Sequence, residues 1–405
     1  MNSDQDIMTL RYAGEREPLL GLTFRTGLLT VVTLGIYRFW QKTRIRKYIW
    51  SSVSADGDTF EYTGTGLEKF LGFLIAIVFL AIYVGLIQMV LFFAGLNIMV
   101  DPETASPQQM IAQIVAIYIT AFAVLPFVLY AIYRARRYKM ARTRFRGIRF
   151  GMEKGAWGYV LRAIGYGLLT ALTLGILTPL LTFKLEKYMA DRSYYGTARF
   201  VQTGNWTELF PALKHVLIGI GLLVLGTLLV AAGVMSSAWF AFLGGLAVAV
   251  GSVWIVIGAI YYAVRSFAYL TDHKVLGKEI GFAAEPRTGT VIKAYVLGGL
   301  LLGLLATVAF GIVGALGAAF IPLLEGAGMV GTVVLLGLIG IGYLVALVLV
   351  QALGMVLITQ PILAHYIQTI RIENGSALDR IAQRETETGI DAEGFADALD
   401  VGGAI

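Results

Sequence analysis

Two clusters of basic side chains are the residues of this sequence whose type and spacing could do chemistry. One cluster contains Arg44, Arg46 and Lys47, and the other extends from Arg134 to Arg144. Guanidinium and ammonium groups bind phosphate, and beside long apolar segments they are expected to bind the anionic headgroups of membrane lipids. The candidate lipid contacts are Arg44, Arg46, Lys47, Arg134, Arg136, Arg137, Arg142 and Arg144.

The second basic cluster also contains aromatic residues, a mixture that RNA-binding segments share. A dense run of cations next to an apolar segment more often fixes the orientation of a membrane protein. We therefore expect membrane lipids with anionic headgroups as partners at the cytoplasmic face, and we expect no nucleic acid.

Amide side chains inside the apolar segments are the polar groups from which a transport pathway could be built. The candidates for such a polar pathway are Gln88, Gln113, Gln351 and Gln360. An amide in hydrocarbon needs a hydrogen-bond partner, so contacts between helices are the simpler explanation. No acidic or basic residue occupies the centre of an apolar run, which argues against ion-coupled pumping.

Little in the sequence indicates catalysis. The three histidines, His215, His273 and His365, are far apart, and the chain has no cysteine. We find no phosphate-binding loop, no zinc-protease motif and no nucleophile-elbow motif. We expect a protein that is not an enzyme, with no catalytic residue, no cofactor and no metal site.

The elements that must position these side chains are membrane helices. The chain is 57% hydrophobic and 14% charged, whereas soluble domains have roughly 25% charged residues. Apolar runs recur that are long enough to cross about 30 Å of hydrocarbon as helices. They cover residues 70–100, 110–133, 216–235, 238–264, 295–324 and 330–363. These runs predict an all-α polytopic membrane protein.

The charges between the runs predict its orientation. Lys and Arg concentrate in residues 41–69 and 134–156, and the connections 101–109, 236–237 and 325–329 contain neither. The positive-inside rule places the basic segments in the cytoplasm. The prediction is three transmembrane hairpins, with the N and C termini both cytoplasmic.

Two apolar segments, residues 19–40 and 157–183, have basic residues on both flanks. Each contains the sequence Thr-Leu-Gly-Ile, at 33–36 and at 173–176. Ordinary spans at these positions would make eight helices, whereas interfacial or re-entrant helices would start and end in the cytoplasm. The charge pattern favours two interfacial or re-entrant helices, so we predict six to eight membrane segments.

The Thr-Leu-Gly-Ile segments belong to an internal tandem repeat with an offset of 140 residues. Gly-x-x-Phe segments at 57–60 and 147–150 predict a small cytoplasmic cap that contains strands, and Gly299 and Gly303 are spaced for helix packing. The predicted organisation is a polar segment at 1–18, a first repeat at 19–150, a second repeat at 157–282, a third membrane hairpin at 291–371 and an acidic, partly disordered tail at 373–405.

The sequence resembles the YjgN-like family of bacterial inner-membrane proteins, a family of unknown function. The resemblance rests on Leu34–Trp40, Arg44–Tyr48, Asp56–Gly66 and Arg146–Phe150, together with the second Thr-Leu-Gly-Ile sequence. It covers most of residues 20–370 and excludes the acidic tail. It implies a multi-pass protein of the inner membrane, and it supplies no catalytic or binding residue.

Two classes of function are left open. The first is passive or lipid-directed transport along a path between the repeats, which a continuous cavity lined by amides and glycines would favour. The second is a non-transporting membrane scaffold or sensor that binds anionic lipid or a partner through its cytoplasmic basic loops. A packed membrane core with a structured cap would favour the second class.

Overall fold

A computed structural model describes residues 6–101, 103, 105–324 and 328–384. The helices in this part of the chain are α1 (Arg16–Val32), α2 (Arg38–Ser51), α3 (Gly66–Phe93), α4 (Pro107–Ala141), α5 (Ala156–Leu172), α6 (Thr178–Ala190), α7 (Phe210–Met235), α8 (Ala238–Asp272), α9 (Thr288–Leu324), α10 (Gly328–Gly354) and α11 (Gln360–Gln368). The strands are β1 (Ile7–Tyr12), β2 (Val53–Ala55), β3 (Asp58–Tyr62), β4 (Thr143–Phe145), β5 (Ile148–Met152), β6 (Ser193–Tyr195), β7 (Ala198–Gln202), β8 (Lys274–Leu276), β9 (Ile280–Ala284) and β10 (Ile370–Glu373). Most of the acidic tail predicted at 373–405 lies outside the described residues.

The chain divides into two compact units, and each has its own part of the strand structure. The first unit comprises residues 1–61 and 202–380, and its strands pair antiparallel in the order β8-β9-β10-β1-β2-β3. The second unit comprises residues 62–201 and 381–405, and its strands pair antiparallel in the order β4-β5-β6-β7.

These strands make the prediction of an all-α protein wrong. The strands have only three to six residues, so they produce almost no alternating hydrophobic pattern beside the long apolar runs. Their turns are the clearest signal. Asp56-Gly57 and Arg146-Gly147 all have positive φ, between 47° and 88°, as the two central residues of a type I′ hairpin turn require. The prediction of a small cap that contains strands is therefore partly consistent with the structure, which has more strands than expected.

Within the described residues, six helical segments are long and apolar enough to cross a bilayer. They are Gly66–Phe93, Pro107–Ala141, Trp206–Val234, Ala238–Asp272, Thr288–Pro322 and Gly328–Gln368. Most of their large apolar side chains are exposed on the protein surface rather than packed inside the protein. This is expected for helices that contact the acyl chains of lipids. The chain is a multi-pass membrane protein.

Each Thr-Leu-Gly-Ile segment lies at the turn of a helical hairpin, α1–α2 in the first unit and α5–α6 in the second. In the first unit the hairpin α1–α2 leaves the paired strands where Tyr12 pairs with Val53, and in the second unit α5–α6 leaves its own strands where Met152 pairs with Ser193. Because each hairpin begins and ends on two paired strands, both of its ends lie at the same sheet.

A pair of left-handed residues breaks each of these segments into two helices. Leu34 and Gly35 have φ values of 50° and 93°, and Leu174 and Gly175 have values of 51° and 89°. In both turns the glycine amide donates to a threonine carbonyl five residues earlier, which satisfies an unpaired helix carbonyl. A leucine in this conformation costs roughly 1–2 kcal/mol.

Glycines spaced by seven residues hold α7 against α8 in the first unit. A Cβ on Gly226 would lie 2.8 Å from the Gly244 carbonyl oxygen, and one on Gly251 would lie 3.1 Å from the Gly219 carbonyl oxygen. Such close approach of two backbones is what small residues permit in lipid. The predicted pair Gly299 and Gly303 does not pack in this way, since an added Cβ at either position meets nothing within 4 Å.

Candidate anion-binding site

A cavity of about 320 Å³ lies in the second unit, where the basic end of α4 meets the start of α5. Its lining residues are Tyr130, Tyr133, Arg134, Arg137, Lys154, Gly155, Ala156, Trp157 and Gly158. Three of these carry a positive charge and none is acidic. The volume is within the range of small-ligand pockets, so the cavity is of a size and sign to hold an anion.

Helix α4 presents its part of the cavity at helical spacing. Tyr130, Arg134 and Arg137 are four and three residues apart, and positions so spaced lie on one face of a helix. Nη1 of Arg134 donates to the Tyr130 hydroxyl at 3.1 Å, and its guanidinium lies 5.5 Å from the centre of the Tyr130 ring. Nε of Arg137 donates to the Met152 carbonyl at 2.7 Å. These contacts fix both guanidinium groups before any ligand arrives.

The junction between β5 and α5 supplies the opposite wall. The Tyr133 hydroxyl donates to the Glu153 carbonyl at 2.7 Å, and the Tyr188 hydroxyl donates to the Gly155 carbonyl at 2.9 Å. Gly155 is the N-cap residue of α5, and no side chain caps this helix. The first amide groups of a helix have no acceptor within the helix and carry its partial positive charge. Ala156, the first residue of α5, lines the cavity, so this helix end adds to its positive potential.

Two neighbouring cations, Arg136 on α4 and Arg142 directly after it, form salt bridges with carboxylates. Arg136 forms a two-pronged salt bridge with Glu186, with nitrogen–oxygen distances of 2.6 and 2.9 Å. Arg142 lies 3.2 Å from Glu68. A bidentate pair of this kind fixes geometry as well as charge. Neither of these salt-bridged arginines lines the cavity, where Arg134, Arg137 and Lys154 supply the positive charge.

Aromatic rings form the rim and the support of the site. Trp157 is 57% exposed, and its ring lies 5.3 Å from that of Tyr130. Behind them Tyr133, Tyr159 and Tyr188 pack with ring centres 5.7 to 6.4 Å apart. Burial raises the pKa of Tyr159, so the hydroxyl of this tyrosine stays protonated at physiological pH. Exposed Trp and Tyr beside cations are typical of the membrane interface.

The structure brings together only part of the predicted lipid contacts. Arg134 and Arg137 line the cavity, whereas Arg136 and Arg142 are salt-bridged, and Arg144 lies on β4. Arg44 and Lys47 are exposed on α2 in the first unit, and Arg46 is buried there.

Sequence reasoning missed Lys154, Trp157 and Tyr130. The available signal was Lys154–Trp157 itself, because a cation, a glycine and an aromatic residue follow a strand and open a helix. Recognising it required the boundary of β5, which is too short to be read from periodicity.

The four amides of the predicted polar pathway are dispersed, and none lines this cavity. In the second unit Gln88 donates to the Thr120 hydroxyl at 2.9 Å, and Gln113 donates to the Ile98 carbonyl at 2.6 Å. In the first unit Gln360 donates to the Gly14 carbonyl at 2.9 Å, and Gln351 is exposed on α10. The three bonded amides each tie neighbouring segments together, as the simpler explanation requires.

Comparison with known proteins gives one result. A family model described as "Bacterial protein of unknown function (DUF898)" matches residues 8–398. No curated protein matches the sequence, and no solved structure matches the fold.

Proposed function

Since the chain belongs to this bacterial family, we propose that it is a lipid-binding, multi-pass protein of the bacterial inner membrane whose ligand is the phosphate of an anionic lipid headgroup. The observation that carries the proposal is the cavity between α4 and α5, which combines three cations, an uncapped helix N terminus and an exposed tryptophan. Phosphate is the anion that suits guanidinium groups and helix amides together. The site holds a ligand and performs no chemical step.

The position of the cavity along α4 supports a lipid over a free anion. Exposed apolar side chains on this helix continue to Val128, nearly two turns before Arg134. On α5, Trp157 and Leu161 are exposed at the same end. A headgroup in the cavity would therefore have its acyl chains beside apolar surface. A free anion would gain nothing from that surface.

The finer description follows from the sequence patterns. We propose that the basic segments, both termini and the strands lie on the cytoplasmic side. We also propose that the two hairpins α1–α2 and α5–α6 belong to an internal repeat, and that the protein is YjgN-like. Similar backbone angles at Leu34 and Leu174 support the repeat.

Of the two open classes of function, we propose lipid-directed transport, because the cation-lined cavity adjoins the apolar face along which a lipid would move. The alternative is a scaffold or sensor that binds anionic lipid without moving it. Exposed Arg44 and Lys47 on α2 favour this alternative, since they offer a second basic surface that no cavity encloses.

Native mass spectrometry of the purified protein tests the binding. We expect retention of phosphatidylglycerol over phosphatidylcholine in the parent, and a loss of at least tenfold in this preference in the double variant Arg134→Gln, Lys154→Gln. Lys278→Gln is the matched control, because it removes a lysine charge from the exposed β8–β9 turn. Equal lipid retention by the double variant and the parent contradicts the proposal.

Lipid movement in proteoliposomes separates the two classes. Fluorescent phosphatidylglycerol that becomes accessible to dithionite faster with the parent than with the double variant supports transport. Binding without any acceleration over protein-free vesicles supports the scaffold or sensor.

A further inference from the structure

The turns of the hairpins α1–α2 and α5–α6 are apolar and fully accessible. Leu34 is 94% exposed and Leu174 is 85% exposed. Large apolar neighbours are exposed with them, namely Val32, Ile36, Leu172 and Ile176. Each turn therefore presents a small apolar surface at the end farthest from the paired strands on which its hairpin begins and ends.

The backbone conformation of these turns does not favour leucine. At φ near 50° glycine or asparagine is the usual residue, because a Cβ atom crowds the following carbonyl oxygen and asparagine can offset that cost with a local hydrogen bond. Neither leucine gains compensating contacts within the chain, as its exposure shows. An apolar side chain that is both strained and exposed in two separate turns indicates a contact outside the polypeptide.

The positions of the charged residues around each turn indicate that the contact is with lipid. Residues 163–183 contain no charge, and Arg162 and Lys184 bound this stretch. The turn at Leu174 divides it into arms of about ten residues, each about 15 Å long as a helix, which is half of the bilayer core of about 30 Å. The stretch around Leu34 is shorter, since Arg38 follows the turn closely.

We propose that the turns at Leu34 and Leu174 insert into the acyl-chain region of a single membrane leaflet, the one that faces the strands. The hairpin ends on paired strands require that the chain enter and leave on one side. The flanking cations match anionic headgroups at the depth where each uncharged stretch ends. In the second unit α5 also packs through Trp157 and Tyr159 against α4, which is one of the six candidate spans.

Single cysteines test the insertion, because the chain has none of its own. Leu34→Cys and Leu174→Cys are labelled with an environment-sensitive fluorophore and reconstituted in bilayers that contain doxyl-labelled lipids. Val78→Cys, exposed in the middle of α3, is the lipid control, and Lys278→Cys is the water control. We expect doxyl quenching at both turns to reach at least half of that at Val78. A doxyl group placed near the lipid headgroup should quench the label at Leu34 more strongly than the label at Leu174.

Two results overturn the proposal. Quenching by aqueous iodide as strong as at Lys278 would place the turns in water, and protection from both iodide and doxyl lipid would place a protein on them. Ile36→Cys and Ile176→Cys repeat the measurement beside each turn if a leucine variant melts below the parent. The cavity residues are unchanged in all of these variants, so failure here is separate from failure of headgroup binding.

Discussion

At the scale of single residues, the candidate site depends on two glycines as much as on its cations. An added Cβ at Gly155 would lie 2.9 Å from the Tyr188 hydroxyl and 3.1 Å from the Tyr133 hydroxyl. An added Cβ at Gly158 would overlap the Tyr188 hydroxyl. Two arginines, Arg192 and Arg162, hold the Tyr188 ring from its faces at 3.7 and 4.4 Å, so it has little freedom to move aside.

We therefore predict that Gly158→Ala destabilises the protein by about 1–3 kcal/mol, because overpacking must displace Tyr188 from its bond to Gly155. Lipid retention should fall with it. The control is Gly165→Ala on the same helix, where the added Cβ meets nothing, and where alanine should gain up to about 1 kcal/mol of helix stability. Denaturant unfolding in detergent measures both. Equal stability of the two variants contradicts the packing described.

The sequence was sufficient to identify the basic residues near this site, but not to identify the residues that they contact. The basic run on α4 is evident in the sequence, and it includes Arg134 and Arg137, which line the cavity. The sequence does not show that Glu186, fifty residues away, neutralises Arg136, because the contact depends on how α6 returns beside α4. Lys154 was missed for the same reason: its place at the cavity depends on a strand of five residues.

At the scale of elements, hydropathy identified the six long helices, since each needs only length and apolar composition. The strands were underestimated because their stability comes from pairing between distant segments, such as β1 with β10. Glycine spacing was misread as well. The Gly299–Gly303 pattern was visible, but the packed glycines of α7 and α8 are seven residues apart and matter only because the two helices are antiparallel neighbours.

The α7–α8 contact predicts that two glycine-to-alanine substitutions on α7 change the free energy of unfolding in different ways. Gly226→Ala should lower the free energy of unfolding by about 1–3 kcal/mol, because its Cβ would lie 2.8 Å from both the Gly244 oxygen and the Val248 nitrogen. Gly221→Ala, whose Cβ meets nothing within 4 Å, should be neutral or stabilising by roughly 1 kcal/mol. Thermal melting in matched detergent compares them. A Gly226 variant as stable as the Gly221 variant would show that the helices do not pack closely.

At the scale of the whole molecule, the orientation in the membrane is a proposal, in which the strands and the basic helix ends lie on the cytoplasmic side. Membrane-impermeant maleimide applied from the periplasm should therefore label Met99→Cys and Ser237→Cys, which lie in connections without Lys or Arg. It should label Lys278→Cys and Gly147→Cys only after the membrane is permeabilised. Labelling of either of the last two in intact cells would invert the proposed orientation.

The central claim is that the cavity between α4 and α5 holds a lipid phosphate, and an experimental structure in phosphatidylglycerol nanodiscs tests it most directly. The account predicts density for a phosphate within hydrogen-bonding distance of Arg134, Lys154 and the first amides of α5, with acyl chains beside Trp157. Clear density for these side chains around a cavity that contains only water, with ordered lipid elsewhere on the protein, would contradict it.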